Sequence, residues 1–247
     1  MVKKRAERSS DLTDSMALLA SLSGDLALPL LQIKTTLEVV GSKSNLTAKA
    51  NEQHIKKMLL ASETGLQLVE AYRLALNADN EILPLEPVTV GAVLTEVAHE
   101  LNDYANQYKT VIEVDVQPRL TPVLAHRPSL IAAMQCLGAS LIRAQAGMSE
   151  EKKYRLMLGA HRTADNVITT GAFSSMTGLS DKVLRGARAL SGRARQPLSA
   201  LPAGSAGGVL IADILCAAMW QPLRAAAHRN MHGLATAVPV SKQLNLI

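Results

Sequence analysis

Apolar positions recur at alternating spacings of four and three residues along Leu12, Met16, Leu19, Ser23, Leu26, Leu30, Ile33, Leu37 and Val40. A single stripe therefore runs along one predicted helix over roughly 9–40, interrupted only at Ser23. Pro29 falls inside this helix. It has no amide hydrogen and crowds the preceding turn, so it predicts a kink that costs about 3 kcal/mol relative to alanine unless packing compensates. The segment GSKSNLT (41–47) reads as a turn, and a second helix is predicted from about 47 to 76, with Ile55, Leu59, Leu66, Val69, Tyr72 and Leu76 among its apolar positions. A hairpin this thin cannot bury its own stripe. Two copies side by side make a four-helix bundle, so the pattern predicts a homodimer through residues 9–76.

The pattern changes at NADNEILPLEPVTV, where acidic and turn residues precede Pro84 and Pro87. This divides the chain into a basic tail (1–8), a helical hairpin (9–78), a linker (79–87) and a second domain (88–247), with 83–90 entering the second domain extended. VGAVLTEVAHELNDYANQY follows as an amphipathic helix with Val93, Leu94, Val97 and Leu101 near one face. TVIEVDVQP alternates apolar and polar residues and predicts a half-buried strand. PSLIAAMQCLGASLIRAQA predicts a helix, and KKYRLMLGAHRTADNVITTGAF two strands joined by a turn at RTADN. GGVLIADILCAAMWQPLRAAA reads as one further helix and HGLATAVPV as a closing strand. The predicted class is α+β: a long antiparallel hairpin forming a four-helix bundle on dimerisation, then an α/β sandwich whose mixed sheet is covered by helices.

Composition agrees with many close-packed helices. Of the 247 residues 48% are hydrophobic but only 2% aromatic, which leaves alanine, leucine and valine to fill the core. No apolar run reaches the roughly 18 residues of a spanning helix, and no apolar targeting segment follows MVKKRAERSSDLTD, so a cytoplasmic protein is expected. Cys136 and Cys216 lie among apolar residues and read as core thiols. The six histidines make no compact ligand pattern with them; His228 and His232 are four apart without an accompanying HExxH, so no metal is expected. The net charge of +5 changes the picture at one place. In DKVLRGARALSGRARQPLS, Lys182, Arg185, Arg188, Arg193 and Arg195 stand against a single Asp181, a pattern that suits an anion such as nucleic acid, or a solvated loop. No aromatic residues are interleaved with these cations.

The order of elements resembles the catalytic core of bacterial sensor histidine kinases, a dimerising hairpin followed by an ATP-binding domain of the gyrase/Hsp90/kinase/MutL type. The resemblance spans about 9–247 and is carried by SGDLALPLLQI, by the helix–strand–helix course from PLEPVTV to SLIRA, and by SAGGVLIADILCAAMW. It accounts for Pro29, because the family's phosphoacceptor helix typically reads His-Glu-Leu-Arg-x-Pro-Leu here. It also implies that the histidine position falls on Gly24, with Asp25 in the acidic place beside it and Pro29 and Leu30 as the proline and leucine. Glycine carries no nucleophile. The family's metal-coordinating asparagine falls on Ala139, with the amide of Gln135 one turn earlier as a substitute metal or phosphate contact. The adenine-reading aspartate falls on Ser174, with Gly178 preserving a turn. A serine lacks the charge assistance an aspartate gives to an exocyclic amine. Of the phosphate-cradling glycines, Gly204 and Gly208 remain, and amides at a helix start can bind an anion without side chains.

Folding residues are retained while chemical ones are replaced, so the expectation is a catalytically inactive, histidine-kinase-like dimeric adaptor without a cofactor. It would bind a partner protein, such as a receiver-domain protein or a kinase, through Leu28, Lys34 and Glu38 on the outward face of the first helix. The other readings are a nucleic-acid-associated regulator acting through the basic segment, a histidine phosphotransferase working through His54, and a nucleotide-responsive switch using Gly204 and Gly208. A second domain that only stabilises the first is the plainest of them.

Overall fold

The computed structural model describes residues 24, 26–42, 47–78, 83–146, 153–163, 165, 167–174, 184 and 206–241. The chain divides into two compact units, Met1–Arg73 and Leu74–Ile247. In the first unit, helix α1 covers 26–42 and helix α2 covers Ala48–Ala78, running through the division. Thr47 opens α2 by accepting the amide of Ala50 on its hydroxyl, at 3.3 Å. Pro29 is buried, and the helix accepts it because α2 presents Gly65 opposite. A Cβ at Gly65 would sit 3.8 Å from Leu26 Cδ2 and 3.9 Å from the Pro29 ring, ordinary contact that a larger side chain would overfill. Ala61 and Leu68 are buried on α2, whereas Leu30, Leu31, Leu37, Ile55, Leu59, Leu66 and Val69 remain exposed.

In the second unit, the elements are β1 (Glu86–Val88), α3 (Val90–Gln107), β2 (Thr110–Val116), β3 (Val123–Ala125), α4 (Arg127–Ala146), β4 (Tyr154–Arg162), β5 (Ile168–Ser174), α5 (Ala206–Met219), β6 (Arg224–His228) and β7 (Met231–Val238). A five-stranded sheet has the order β2-β4-β5-β7-β6; β2 and β4 are parallel, as their connection through α4 requires, and the other pairs are antiparallel. β1 and β3 pair separately, Val88 opposite Val123. The amphipathic pattern of α3 buries Val90, Val93, Leu94, Val97, Leu101, Tyr104 and Ala105, which include all four residues expected from the sequence. α4 is buried on most of its circumference. With so few aromatic side chains, close approach of helices does the packing: a Cβ on Gly138 of α4 would lie 2.7 Å from Leu101 Cδ1 of α3.

One expectation is corrected. The helix predicted to run through 207–227 ends at Met219, and Arg224–His228 is a strand. Pro222 cannot supply a helical amide, and Asp213 Oδ1 takes the Leu223 amide at 2.7 Å, which turns the chain out of α5. The alanines that follow then pair with β7. β3 was also not anticipated; its three residues are too few to show a period.

Candidate functional site

On the hairpin, Gly24 is helical and exposed, and among the described residues nothing lies within 4 Å of the place a Cβ would take. The position the resemblance assigns to the phosphoacceptor thus carries no side chain and meets no other described residue. Five residues on, the buried Pro29 anchors the same helix against α2. Leu28, Lys34 and Glu38 are exposed, and Lys34 Nζ lies 3.8 Å from a Glu38 carboxylate oxygen across one helical turn. An exposed pair of this kind contributes little to stability, so both groups are open to exchange for a partner's. His54 is half-buried on α2, on the other helix of the hairpin from Gly24. Asp25 and the start of the apolar stripe, Leu12 to Ser23, lie outside the described residues.

In the second unit, Gln135 and Ala139 stand one turn apart on a half-buried strip of α4. The Gln135 amide is already engaged, donating to the Glu100 carboxylate of α3, and Arg127 pairs with Glu96 farther along the same seam. Ala139 brings no polar atom to the strip. Ser174 is fully buried at the end of β5, in register with Leu156 and His232. Gly208 sits inside α5, where a Cβ would be 2.3 Å from Ser140 Oγ and 2.8 Å from the carbonyl oxygen of Cys136. Its missing side chain is therefore what allows α5 to lie on the α4 backbone. Gly208→Ala is expected to destabilise this unit by about 1–3 kcal/mol through overpacking, measured by urea unfolding. Adding Ser140→Ala would recover only part of the loss, because the Cys136 carbonyl stays in place.

Gly178, Gly204 and the basic cluster Lys182, Arg185, Arg188, Arg193 and Arg195 lie outside the described residues. Cys136 and Cys216 are both buried and unbridged. Burial, with the charge of Asp213 adding to it, pushes the Cys216 thiol well above the ordinary range, so it stays protonated. Burial likewise raises the Tyr104 hydroxyl, opposed by Arg143. Among the described residues no three His, Cys, Asp or Glu side chains are grouped to hold a metal ion, and no helix is long and apolar enough to cross a membrane.

The role of Gly65 was not read from the sequence, although a glycine in mid-helix opposite a proline-bearing helix was its available signal. Glu100 was missed because its link to Gln135 joins α3 to α4 across 35 positions.

No protein-family model matches the sequence, and no curated protein matches it. Solved structures do resemble it. The chain is similar to the histidine kinase ThkA in its complex with the response regulator protein TrrA, with a TM-score of 0.57 and 12% identity over 97% of this chain and 65% of that one. It is similar to the histidine kinase AdeS of Acinetobacter baumannii, at 0.53 and 14% over 89% and 98%. It also resembles full-length ShkA in complex with AMPPNP, at 0.50 and 16%, over 93% of this chain but 44% of that one. At such identities the likeness is one of fold. The long helices and the helix-covered mixed sheet that follows them have the architecture of histidine-kinase domains.

Proposed function

We propose that this chain is a catalytically inactive, histidine-kinase-like adaptor that dimerises through its hairpin and binds a partner protein without passing phosphate to it. The observation that carries this reading is Gly24: an exposed helical position, at the family's phosphoacceptor place, with no side chain to phosphorylate. Phosphoryl transfer needs a nucleophile held in line with the donor. The second unit supports the same reading. Gln135 is tied to Glu100, Ala139 is apolar, and Gly208 serves helix packing.

Partner binding then falls to the outward side of α1, where Leu28 offers apolar contact and Lys34 and Glu38 offer charge. The histidine kinase ThkA was solved in complex with the response regulator TrrA, which makes a receiver-domain protein the first partner to try here. Affinity would come from surface complementarity alone.

The test is incubation of the full chain with labelled ATP and magnesium, and separately with a phosphorylated receiver domain. No phosphate is expected on the chain in either case, while the receiver binds stoichiometrically. Acid-labile phosphate on His54 would overturn the reading in favour of a phosphotransferase.

A further inference from the structure

The sheet has a second face. Leu156 lies on the side covered by α4, since it approaches Gly138, so Met157, Gly159 and His161 project from the opposite side by strand alternation. On that side β6 and β7 are joined by a two-residue turn, Arg229 and Asn230, with φ of 43° and 63°. Both lie in the left-handed region that a tight hairpin turn demands and that arginine adopts reluctantly. β2 and β6 are at opposite ends of the strand order, yet His228 Nε2 lies 2.6 Å from Asp115 Oδ2 and Arg229 Nε 2.7 Å from the same oxygen. The hairpin tip therefore curls across the sheet and is tied down at its far edge.

Gly159 makes room for this. A Cβ there would sit 3.1 Å from Phe173 Cε2 and 3.2 Å from His228 Cδ2. The His228 ring stacks on Phe173 and on His161, each with centroids 5.2 Å apart. His161 Nδ1 is buried, with no hydrogen-bond partner among the described residues. A cleft of about 240 Å³ opens beside the two imidazoles. On the same face Met157, Phe173, Met231 and Ala235 form a small apolar cluster, with Ala226 against it.

We propose that Asp115, His161 and His228 form an acid-sensitive latch that holds the β6–β7 tip across the sheet and releases it when His161 takes up a proton beside His228, loosening the cover over Phe173 and Met231. Among the described residues the ion-paired charged groups on this face of the sheet are Glu113 and Asp115 from β2, Arg155 from β4 and Arg229 from the turn. Glu113 is committed to Arg155, whose Nε donates to it at 2.9 Å. Asp115 already serves Arg229, so it compensates one imidazolium at most. A second imidazolium stacked on the first has no carboxylate left.

Burial, then the charge of His228, hold the His161 pKa below the ordinary 6.5, and Asp115 opposes this only in part. The closed form thus binds fewer protons than the open one. Closure is complete above the ordinary imidazole value and weakens as pH falls through it, by about tenfold in the opening constant per pH unit for one proton.

Amide hydrogen exchange on the full chain, corrected for intrinsic rates, tests this. Protection at 224–238 should fall as pH drops below about 6.5, by up to about tenfold per unit, while α3 and α4 hold, and His161→Phe should flatten the profile. A flat wild-type profile, or an equal slope in His161→Phe, overturns the latch. Should that variant misfold, imidazole nitrogen NMR of the wild type decides. His161 must stay neutral until the hairpin amides shift with the same midpoint; titration of His161 with the hairpin unmoved overturns the proposal.

Discussion

Gly233→Ala is expected to be among the most damaging single methyl groups that can be added to this protein. A Cβ at Gly233 would lie 2.0 Å from the carbonyl oxygen of Ala172, 2.7 Å from the Phe173 Cα and 2.9 Å from the Ala172 carbonyl carbon, all backbone of the neighbouring strand. No rotamer change relieves such an overlap; β5 and β7 must separate. Gly171 is its counterpart on β5, where a Cβ would meet the Leu234 carbonyl oxygen at 2.2 Å. The two glycines let β5 and β7 approach closely at the centre of the sheet, with Ala226 of β6 pairing opposite Gly233. A loss of about 3 kcal/mol or more is expected for either substitution, seen as a lower urea midpoint and lost exchange protection in β5 and β7. Gly41→Ala, on α1 with no described residue within 4 Å, is the control and should cost nothing. Wild-type stability in Gly233→Ala would mean that the strands are not in this register.

The second large effect concerns the hairpin. Leu30 and Leu37 on α1 are 61% and 53% exposed, and Leu59 and Leu66 on α2 are 57% and 68% exposed. Each pair is seven residues apart, the repeat of a bundle seam. Four large leucines in water at heptad spacing are what a hairpin retains for a second copy. The wild-type chain is therefore expected to sediment as a dimer at micromolar concentration. Leu37→Asp with Leu66→Asp places unpaired carboxylates in the seam and should weaken the dimer at least about 100-fold, equivalent to about 3 kcal/mol. The circular dichroism of the double variant should stay close to wild type, because neither residue belongs to the buried set around Pro29 and Gly65. A monomeric wild type, or a double variant that remains dimeric, would remove the bundle from the proposed function. Partner binding through Leu28, Lys34 and Glu38 is a separate measurement, since their substitution should leave the dimer intact.

The periodicity of residues by itself determined where most elements lie. Val93, Leu94, Val97 and Leu101 announced the buried face of α3, and the alternation of TVIEVDV announced β2, because side-chain burial follows the local repeat of helix or strand. Pro29 stood out as an exception that required a compensating surface. The identity of that surface, Gly65 on another helix, was decided only by how α1 and α2 pack. So were the roles of Gly208, Gly171 and Gly233, since a glycine is a notch, a turn or nothing according to which backbone passes beside it. The resemblance to histidine kinases singled out Gly24, Ala139 and Ser174 in the sequence as candidate site positions, but the engagement of Gln135 by Glu100 was not visible there. β6 was misread as helix because alanines have no period of their own; pairing with β7 and the turn at Pro222 settled it. Asp115, His161 and His228 carry no motif at all. They meet because the β6–β7 tip reaches across the sheet to β2, a long-range consequence of strand order and twist that no local pattern in the chain contains.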